Sequence, residues 1–405
     1  MRVNIHMYPS TFTCESRMLR ITGSLVEAEV FEQIHILAMW EEGLPERESL
    51  DATRTVWRVR TPLFGSGGGL IRKTCRFMEW TARCLWKFRG QKVACVNPHS
   101  LSMLPLALAF RLFMWCKIVY DTHEFEPETI NNHGIRQFFS KVIEWCSMPF
   151  LDTVVVTTDG YGRLYEERYG IRNVVVVKNY PLRFDSNQAP AAGMKQKLGI
   201  PDDALLFVYQ GLLAQGRGID LLLGAFEQLG PKKHLVFLGF GPLQSEVEQI
   251  VAHRPNIHFL PGVAPLDVVK HVSTADVGFC LIERTCLSYY HTLPNKMLEC
   301  LQGGVPVVVS DFPDMGGLVT QHECGWTTAV DPASLVGVLR GITAEEVARK
   351  KEFAQRWATS FHWEVEAERY LDMMRNVVGS DDVLILPHPD RRTMDPVSTS
   401  SRIAS

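Results

Sequence analysis

HTLPNKMLECLQGGVPVVVS, residues 291–310, combines the signals of a helix start, a helix end and a buried strand. Pro294 is typical of the first turn of a helix, and the glycine pair at 303–304 is typical of a helix end. The free N–H groups of that first turn, with Lys296 beside them, would form an anion site suited to a diphosphate. Glu299 follows one turn later, where its carboxylate can accept two hydrogen bonds from a ribose diol. On these residues alone, an ordinary helix–loop–strand unit is the alternative.

Outward from this segment, the whole chain alternates short apolar runs with longer helical patterns. The predicted strands are residues 3–7, 34–38, 93–96, 118–120, 153–157, 174–177, 205–209, 234–238, 257–260, 277–281 and 305–309. The helical patterns are residues 16–29, 70–89, 134–147, 219–229, 242–252, 265–274, 294–302 and 344–359. Near-continuous apolar strands between helices indicate parallel sheets covered on both faces. We expect an α/β protein of two such units, with a functional cleft between them at the carboxyl ends of the strands.

Changes in composition mark the expected domain boundaries. Residues 186–193 (SNQAPAAG) are small, polar and proline-containing, which is typical of a linker. Residues 1–185 carry 23 Lys+Arg against 20 Asp+Glu, whereas residues 186–405 carry 19 against 25. We expect one domain at 1–185, a second at 186–360, a further helix at 361–378 and a disordered tail at 379–405.

The composition excludes several classes of protein. With 405 residues, 46% of them hydrophobic, and a net charge of −3, the chain is neither globally disordered nor a generally basic nucleic-acid binder. Its ten cysteines form no CxxC pair, which argues against zinc and for a reduced, intracellular protein. The N-terminus has no signal-peptide core, and the most apolar window, residues 101–115, is too short to span a membrane. We expect a cytoplasmic protein that is soluble or lies on a membrane.

Several further segments follow one another in a defined order along the chain. They are VNPHSLSMLPLALAFRL (96–112), VYDTHEFEPE (119–128), FVYQGLLAQGRGIDLLLGAFEQL (207–229), LVFLGFGP (235–242), NIHFLPGV (256–263), STADVGF (273–279) and LPNKMLECLQGGVPVVVSD (293–311). In this order and spacing they resemble the family four retaining glycosyltransferases, which have the two-domain GT-B fold. The resemblance covers about residues 2–378. FHWEVEAERYLDMMRNVV (361–378) is similar to the family's last helix, which crosses back to the N-terminal domain.

The resemblance implies that residues 1–185 form a Rossmann-like acceptor domain and residues 186–360 a Rossmann-like nucleotide-sugar domain. The implied catalytic residues are His99 beside the transferred sugar, and Arg217 and Lys296, which would neutralise the departing diphosphate without a metal. The implied donor-binding residues are Gly211, Arg217, His291, Asn295, Lys296 and Glu299, with Glu299 on the ribose. The implied acceptor side is the DTHE segment, with Asp121, His123 and Glu124.

Some positions depart from the family pattern. His291 stands where the family often has the first of two glutamates, Leu212 where arginine is common, and Ser100 where aspartate is common. Tyr8-Pro9-Ser10 follows the first strand in place of paired glycines. Each implied role has a structural alternative. Arg217, Lys296 and Glu299 could be surface charges, and His99 could be a helix cap or a buried structural histidine. Asp121, His123 and Glu124 could form a turn, and the glycines of the GFG segment at 239–241 could serve close packing.

Residues 70–89, LIRKTCRFMEWTARCLWKFR, predict a helix with one apolar and one basic face. The predicted apolar face consists of Leu70, Thr74, Phe77, Met78, Thr81, Leu85 and Phe88. The basic face consists of Arg72, Lys73, Arg76, Arg83 and Lys87, with Trp80 and Trp86 toward the flanks. One interpretation is a core-packed helix with a solvated outer side. The prediction that we adopt is attachment of the basic face to an anionic membrane surface.

The first functional hypothesis, from the resemblance, is retaining transfer of a hexose-type sugar from a nucleoside-diphosphate donor to a saccharide or lipid-linked acceptor, as in glycan or polysaccharide biosynthesis. The second is a non-catalytic GT-B subunit of a membrane-associated glycan assembly, which the departures at Leu212 and His291 and the missing glycine pair after the first strand favour. A sugar-nucleotide epimerase is a third. The expected partners are the nucleotide-sugar co-substrate, the acceptor and an anionic membrane surface. No metal, cofactor or nucleic acid is expected.

Overall fold

The computed structural model describes residues 2–13, 15–64, 69–130, 132–185, 187, 190 and 192–379. Within these ranges the first half of the chain forms an eight-stranded sheet and the second half a six-stranded sheet. The predicted α/β class with two largely parallel sheets is therefore confirmed. Residues 380–405, almost all of the expected tail, lie outside the described residues, as do four positions of the expected linker.

The first sheet has the strand order β3-β4-β2-β1-β5-β6-β7-β8. Its strands are β1 (Val3–Met7), β2 (Gln33–Met39), β3 (Arg47–Ser49), β4 (Arg54–Val59), β5 (Val93–Pro98), β6 (Lys117–Thr122), β7 (Thr153–Val156) and β8 (Val174–Val176). Its helices are α1 (Ser16–Glu27), α2 (Leu70–Phe88), α3 (Leu104–Met114), α4 (Gly134–Ser147) and α5 (Asp159–Tyr169). The β3–β4 pair is antiparallel, and the other neighbours are parallel. Sequence patterning missed β3 and β4 because β3 is short and polar and β4 carries two arginines.

The second sheet is parallel throughout and has the order β11-β10-β9-β12-β13-β14. Its strands are β9 (Leu205–Leu212), β10 (Lys233–Phe240), β11 (Ile257–Pro261), β12 (Val277–Cys280), β13 (Val307–Ser310) and β14 (Gly325–Thr328). Its helices are α6 (Met194–Leu198), α7 (Ile219–Phe226), α8 (Gln244–Val251), α9 (Val268–Val272), α10 (Leu287–Tyr290), α11 (Asn295–Gln302), α12 (Pro313–Gln321), α13 (Pro332–Gly341) and α14 (Ala344–Ser360). Of these strands, β14 was not predicted.

The helices of the first domain cover both faces of its sheet. Side chains of α2, α3 and α5, among them Trp80, Phe110 and Tyr165, share one apolar core on one face. On the other face, α1 packs beside the last helix, α15 (Trp363–Val378). The indole N–H of Trp363 donates to Ser24 Oγ at 3.1 Å, so α15 returns from the second domain to the first.

The structure corrects the predicted faces of α2. Trp80, which was placed on a flank, is fully buried, whereas Met78, which was placed on the apolar face, is exposed. The buried side is therefore rotated toward Trp80 and Cys84. Glu79 is also buried, and its carboxylate accepts from the backbone N–H groups of Leu63 and Phe64. Among the described helices, none has the length and apolarity that a membrane crossing requires.

Candidate functional site

A cleft of about 760 Å³ lies between the two domains. Its walls are formed largely by residues that follow strands of both sheets at their carboxyl ends, which is where open α/β sheets bind ligands. The predicted residues that line it are His99, His123, Glu124, Gly211, Arg217, Asn295, Lys296 and Glu299. Asp121 and His291 are not among the lining residues that the structure describes.

Lys296 lies in the first turn of α11, which begins after Pro294. Its ammonium group donates to Tyr209 Oη at 2.8 Å and lies 4.0 Å from the centre of the Tyr209 ring. Gln210 Nε2 donates to the backbone carbonyl of Lys296 at 2.6 Å, which fixes the helix start against β9. Burial lowers the pKa of Lys296 to about 8, and the nearby charge of Arg217 acts in the same direction. An incoming anion would restore the full charge of this lysine.

Glu299 and Asn295 connect α11 with the first domain. Burial raises the pKa of Glu299, while the positive charges of Arg20 and Lys296 oppose this effect. Asn295 Oδ1 accepts from Asn179 Nδ2 at 2.7 Å, and Asn179 Oδ1 accepts from Arg20 at 2.5 Å. The first turn of α11 is thus joined to Arg20 of the first domain through Asn179.

Arg217 lies in the glycine-rich loop between β9 and α7. Gly216 and Gly218 flank it with φ angles of 74° and 72°, in the left-handed region that favours glycine. The guanidinium of Arg217 lies 5.6 Å from the centre of the Tyr289 ring, and Nη2 is 3.5 Å from Tyr289 Oη. Gly211, at the end of β9 with φ of 110°, leaves this side of the cleft free of a side chain.

The GFG turn after β10 is a close-packing feature. A Cβ atom on Gly239 would collide with the carbonyl oxygen of Gly211, and one on Gly241 would collide with the carbonyl oxygen of Leu213. The glycines therefore allow the ends of β10 and β9 to approach each other. This agrees with the close-packing interpretation of the sequence.

A chain of three histidines lies on the acceptor side. His6 Nδ1 is 2.8 Å from His99 Nε2, and His99 Nδ1 is 3.2 Å from His123 Nε2. His99 Nδ1 also lies 3.4 Å from Asp121 Oδ2. His6 and His99 are buried, whereas His123 is half-buried and lines the cleft. His6 was not among the predicted site residues, because a histidine within an apolar strand gives no separate signal.

Asp121 determines which ring nitrogens of this chain carry protons. Beside its carboxylate, His99 Nδ1 must be the protonated nitrogen, so His99 Nε2 accepts a hydrogen bond from His6 Nδ1. The opposite arrangement would bury an unpaired N–H at His6 Nε2, which has no partner in the described part of the chain. Both nitrogens of His99 are then occupied within the protein. The half-buried ring of His123 is consequently the more accessible imidazole for a substrate.

Asp121 is buried and forms an ion pair with Arg17. Its Oδ1 lies 2.9 Å from Arg17 Nη2, and both side chains are buried. Burial opposes ionisation, but Arg17 and the bond from His99 hold the pKa of Asp121 well below its usual range. Arg17 Nη1 also donates to the Val177 carbonyl at 3.1 Å, and the side chain lines the cleft. Arg17 was not among the predicted site residues, because an arginine on a helix usually indicates a solvated side.

Glu126 is a further carboxyl group that sequence analysis did not select. It lines the cleft and accepts from Ser100 Oγ at 2.9 Å and from the Leu101 N–H at 2.8 Å. Burial raises the pKa of Glu126 to about 8. Ser100, where the family often has aspartate, thus contacts a carboxyl group supplied from another position. Glu124 is exposed at the cleft.

His291 lies at a contact between the domains. Its Nδ1 is 3.0 Å from Asp314 Oδ2, and Asp314 Oδ1 accepts from the Gly160 N–H at 3.0 Å. A Cβ atom on Gly160 would collide with both side chains. Close by, Tyr161 Oη donates to the Ser288 carbonyl at 2.8 Å. The structure places His291 at this contact, where it does not join the other predicted donor residues.

The basic residues of α2 are mostly exposed but differ in their contacts. Arg72 Nε donates to the Phe64 carbonyl at 2.6 Å, and Arg83 Nε donates to Glu79 at 2.8 Å. Lys87 Nζ lies 3.5 Å from the centre of the Trp57 ring. Lys73 and Arg76 have no ion pair with any residue that the structure describes. The predicted membrane role of this face stays a prediction.

His99, Asp121 and His123 have donor atoms that lie within 4.8 Å of one another, a spacing that a metal ion could use. Asp121 is, however, already paired with Arg17, and a bound cation would repel that guanidinium. Metal-free chemistry therefore stays the prediction for this site.

Stability should fall in mild acid because His6 is buried. Burial and His99 lower the pKa of His6, so the folded state favours neutral His6, whose stabilising contribution is present above pH 6.5 and is lost as pH falls. When the pH is lowered from 7 to 5, the free energy of unfolding should decrease in both proteins. The decrease should be about 2 kcal/mol smaller in His6→Gln than in the wild type. Urea titrations at both pH values measure this difference, with exposed His253→Gln as the control. Equal losses in wild type and His6→Gln would contradict the expected titration.

Part of the chain is similar to a known protein family. Residues 204–344 match the family model described as glycosyl transferases group 1. A Bacillus subtilis protein named as a glycosyltransferase of teichuronic acid biosynthesis is 29% identical over 164 residues, which are 40% of this chain and 39% of that protein. The chain thus spans about two fifths of the length of that relative. Chitobiosyldiphosphodolichol beta-mannosyltransferase of Kluyveromyces lactis is 24% identical over 342 residues, 74% of this chain and 75% of that protein.

Solved structures agree with the two-domain architecture. Anabaena HepE, crystallised with UDP, superimposes with a TM-score of 0.68 at 14% identity and covers 93% of this chain and 100% of that chain. At this identity the likeness concerns the fold alone. The chain therefore has the GT-B fold, and its residues 204–344 match the family model of glycosyl transferases group 1.

Proposed function

We propose that the protein is a retaining glycosyltransferase that moves a hexose-type sugar from a nucleoside-diphosphate donor to a hydroxyl of a saccharide or lipid-linked acceptor. The observation that carries the proposal is the cleft, in which Lys296, Arg217 and the first turn of α11 form one cationic wall. The names of the relatives, a mannosyltransferase and a teichuronic acid glycosyltransferase, support this class of reaction. Synthesis of a glycan or polysaccharide is the corresponding role.

The donor would lie with its diphosphate at this cationic wall and its ribose at Glu299. Attack by the acceptor oxygen forms the new bond on the face from which the phosphate oxygen departs, so the anomeric configuration is retained. The acceptor proton passes to the departing phosphate oxygen. Arg217 and Lys296 stabilise the charge that develops on the diphosphate, and no metal takes part. His99 orients the sugar indirectly, by holding the ring of His123.

Binding of a nucleoside diphosphate is the first test. Glu299→Gln should weaken binding about 10- to 100-fold, because two charge-assisted hydrogen bonds to the ribose become neutral ones. Calorimetric titration with a panel of nucleoside diphosphates measures the affinity and identifies the base. Glu246→Gln, an exposed glutamate of α8, is the matched control. Equal affinity in wild type and Glu299→Gln would contradict the ribose contact.

Turnover separates the alternatives. Release of nucleoside diphosphate that depends on an acceptor supports the transferase. Donor binding without transfer to any acceptor would favour the non-catalytic subunit, and conversion of the sugar nucleotide without acceptor would favour the epimerase. The proposal also includes a place on the cytoplasmic face of a membrane, with the basic side of α2 toward anionic lipid.

A further inference from the structure

Helix α4 exposes a stripe of large apolar side chains to solvent. Ile135, Phe138, Phe139, Val142 and Trp145 recur at helical spacing, and all five are exposed. Because this stripe lies opposite the side that packs on the domain, α4 has no ordinary solvated face.

The inner side of α4 is partly polar. Glu144 is completely buried and accepts hydrogen bonds from Tyr165 Oη at 2.6 Å and from Tyr120 Oη at 3.3 Å. Ser147 is buried on the same side of the helix. The outer apolar stripe is therefore not explained by packing against the core.

The end of α3 and two flanking segments extend this stripe. Helix α3 packs beside α4, and the residues that follow each helix add further exposed aromatic side chains. We call the combined set the α3–α4 apolar surface; it consists of Leu112, Phe113, Trp115, Ile135, Phe138, Phe139, Val142, Trp145 and Phe150. Eight of these nine side chains are more than half exposed, and Trp115 is 92% exposed. Contiguous apolar patches of this kind mark interaction surfaces.

The charges around this surface are mainly basic. Arg136 is exposed on α4 and has no ion pair within the described residues. Lys141 pairs with Glu128 at 2.8 Å, but Glu128 is shared with Arg168, so this cluster keeps an excess positive charge. Asp152 is likewise shared between two basic residues, Arg111 and Lys117.

The surface also lies close to the cleft and to α2. The short 3-10 segment Glu126–Glu128 packs on α4, and its first residue lines the cleft. Helix α2 packs against α3 and covers the same face of the sheet. An acceptor held in a lipid layer at this surface would have a short path to the cleft.

We propose that the α3–α4 apolar surface inserts into the interfacial layer of an anionic phospholipid bilayer. Tryptophan side chains such as Trp115 and Trp145 suit the headgroup region, and the basic rim suits anionic lipid. A second copy of the chain fits less well, because a twofold contact would bring the same basic rim against itself. Insertion itself does not depend on the proposed function. Only its use, access to a lipid-linked acceptor, rests on the proposed function.

Sedimentation of the full chain with vesicles tests this proposal. Ile135→Ser with Phe138→Ser and Trp145→Ser should lower the partition coefficient onto phosphatidylcholine–phosphatidylglycerol vesicles at least about tenfold, because the inserted apolar area is lost. The matched control is Leu266→Ser with Val365→Ser, two exposed apolar residues of other helical segments. Arg136→Glu with Lys73→Glu should weaken binding to anionic vesicles by several-fold per residue and leave neutral vesicles unaffected.

Several outcomes would overturn the proposal. Undiminished vesicle binding by the triple variant would exclude insertion at this surface. A dimer of the wild type that the triple variant converts to monomers, with no vesicle binding by either protein, would identify a second copy as the occupant. Thermal unfolding and calorimetric binding of nucleoside diphosphate establish that each variant is folded. Vesicle binding without any nucleotide binding would leave this proposal standing and contradict the proposed function.

Discussion

Replacing Arg217 by alanine should lower acceptor-dependent release of nucleoside diphosphate by about 10²- to 10³-fold, mainly in kcat. Arg217 lines the cleft with its planar guanidinium, which can hold two phosphate oxygens at once, and Lys296 beside it has a pKa of only about 8 before an anion binds. The charge that arginine stabilises grows as the diphosphate departs, so its loss affects the transition state more than the bound donor. Steady-state kinetics with saturating acceptor measure the effect.

Arg284→Ala is the matched control for this prediction. Arg284 also lies over a tyrosine, 4.2 Å from the centre of the Tyr290 ring, but it is exposed and is not among the described lining residues of the cleft. The turnover of the Arg284→Ala variant should stay close to that of the wild type. Unchanged turnover in Arg217→Ala, or an equal loss in both variants, would remove Arg217 from the proposed mechanism.

Asp121→Asn should lower the free energy of unfolding by about 3–5 kcal/mol, because it leaves the buried guanidinium of Arg17 without a countercharge. The same change removes the carboxylate that selects the proton position on His99, so acceptor-dependent turnover should fall as well. Urea titration measures the first effect and steady-state kinetics the second.

A double variant separates these two roles. Arg17→Met with Asp121→Asn leaves neither charge unpaired and should recover most of the lost stability. Its turnover should stay low, because His99 still lacks its carboxylate partner. A double variant as unstable as Asp121→Asn alone would show that the ion pair is not the source of the stability.

Local patterns in the sequence predicted much of the fold. Near-continuous apolar strands and helical periodicity predicted most of the parallel strands of both domains, because each signal lies within one segment. The donor side could also be predicted from the sequence, since Lys296 and Glu299 lie one turn apart on the same short helix. Strand β4 was missed because its arginines break the apolar pattern.

The acceptor side was harder to predict from the sequence, because the residues that contact one another there are distant along the chain. His6 meets His99 across 93 positions, and Arg17 meets Asp121 across 104. No local pattern encodes such pairs. The histidine pair forms because β1 and β5 become neighbours in the sheet, and Arg17 reaches Asp121 of β6 from α1. Periodicity also could not distinguish an apolar face that meets the core from one that meets solvent, which explains the misplaced Trp80 of α2 and the unrecognised stripe of α4.

The carboxyl group of Glu144 has a consequence for how α4 is oriented. A helix with apolar residues on two sides can in principle dock on its domain in two rotations, and apolar attraction alone would not choose between them. Only one rotation gives Glu144 its tyrosine hydroxyls; the other would leave the tyrosines unpaired and bury aromatic rings against them. The hydrogen bonds of one buried polar residue therefore select the rotation of α4 in which its five apolar side chains face outward.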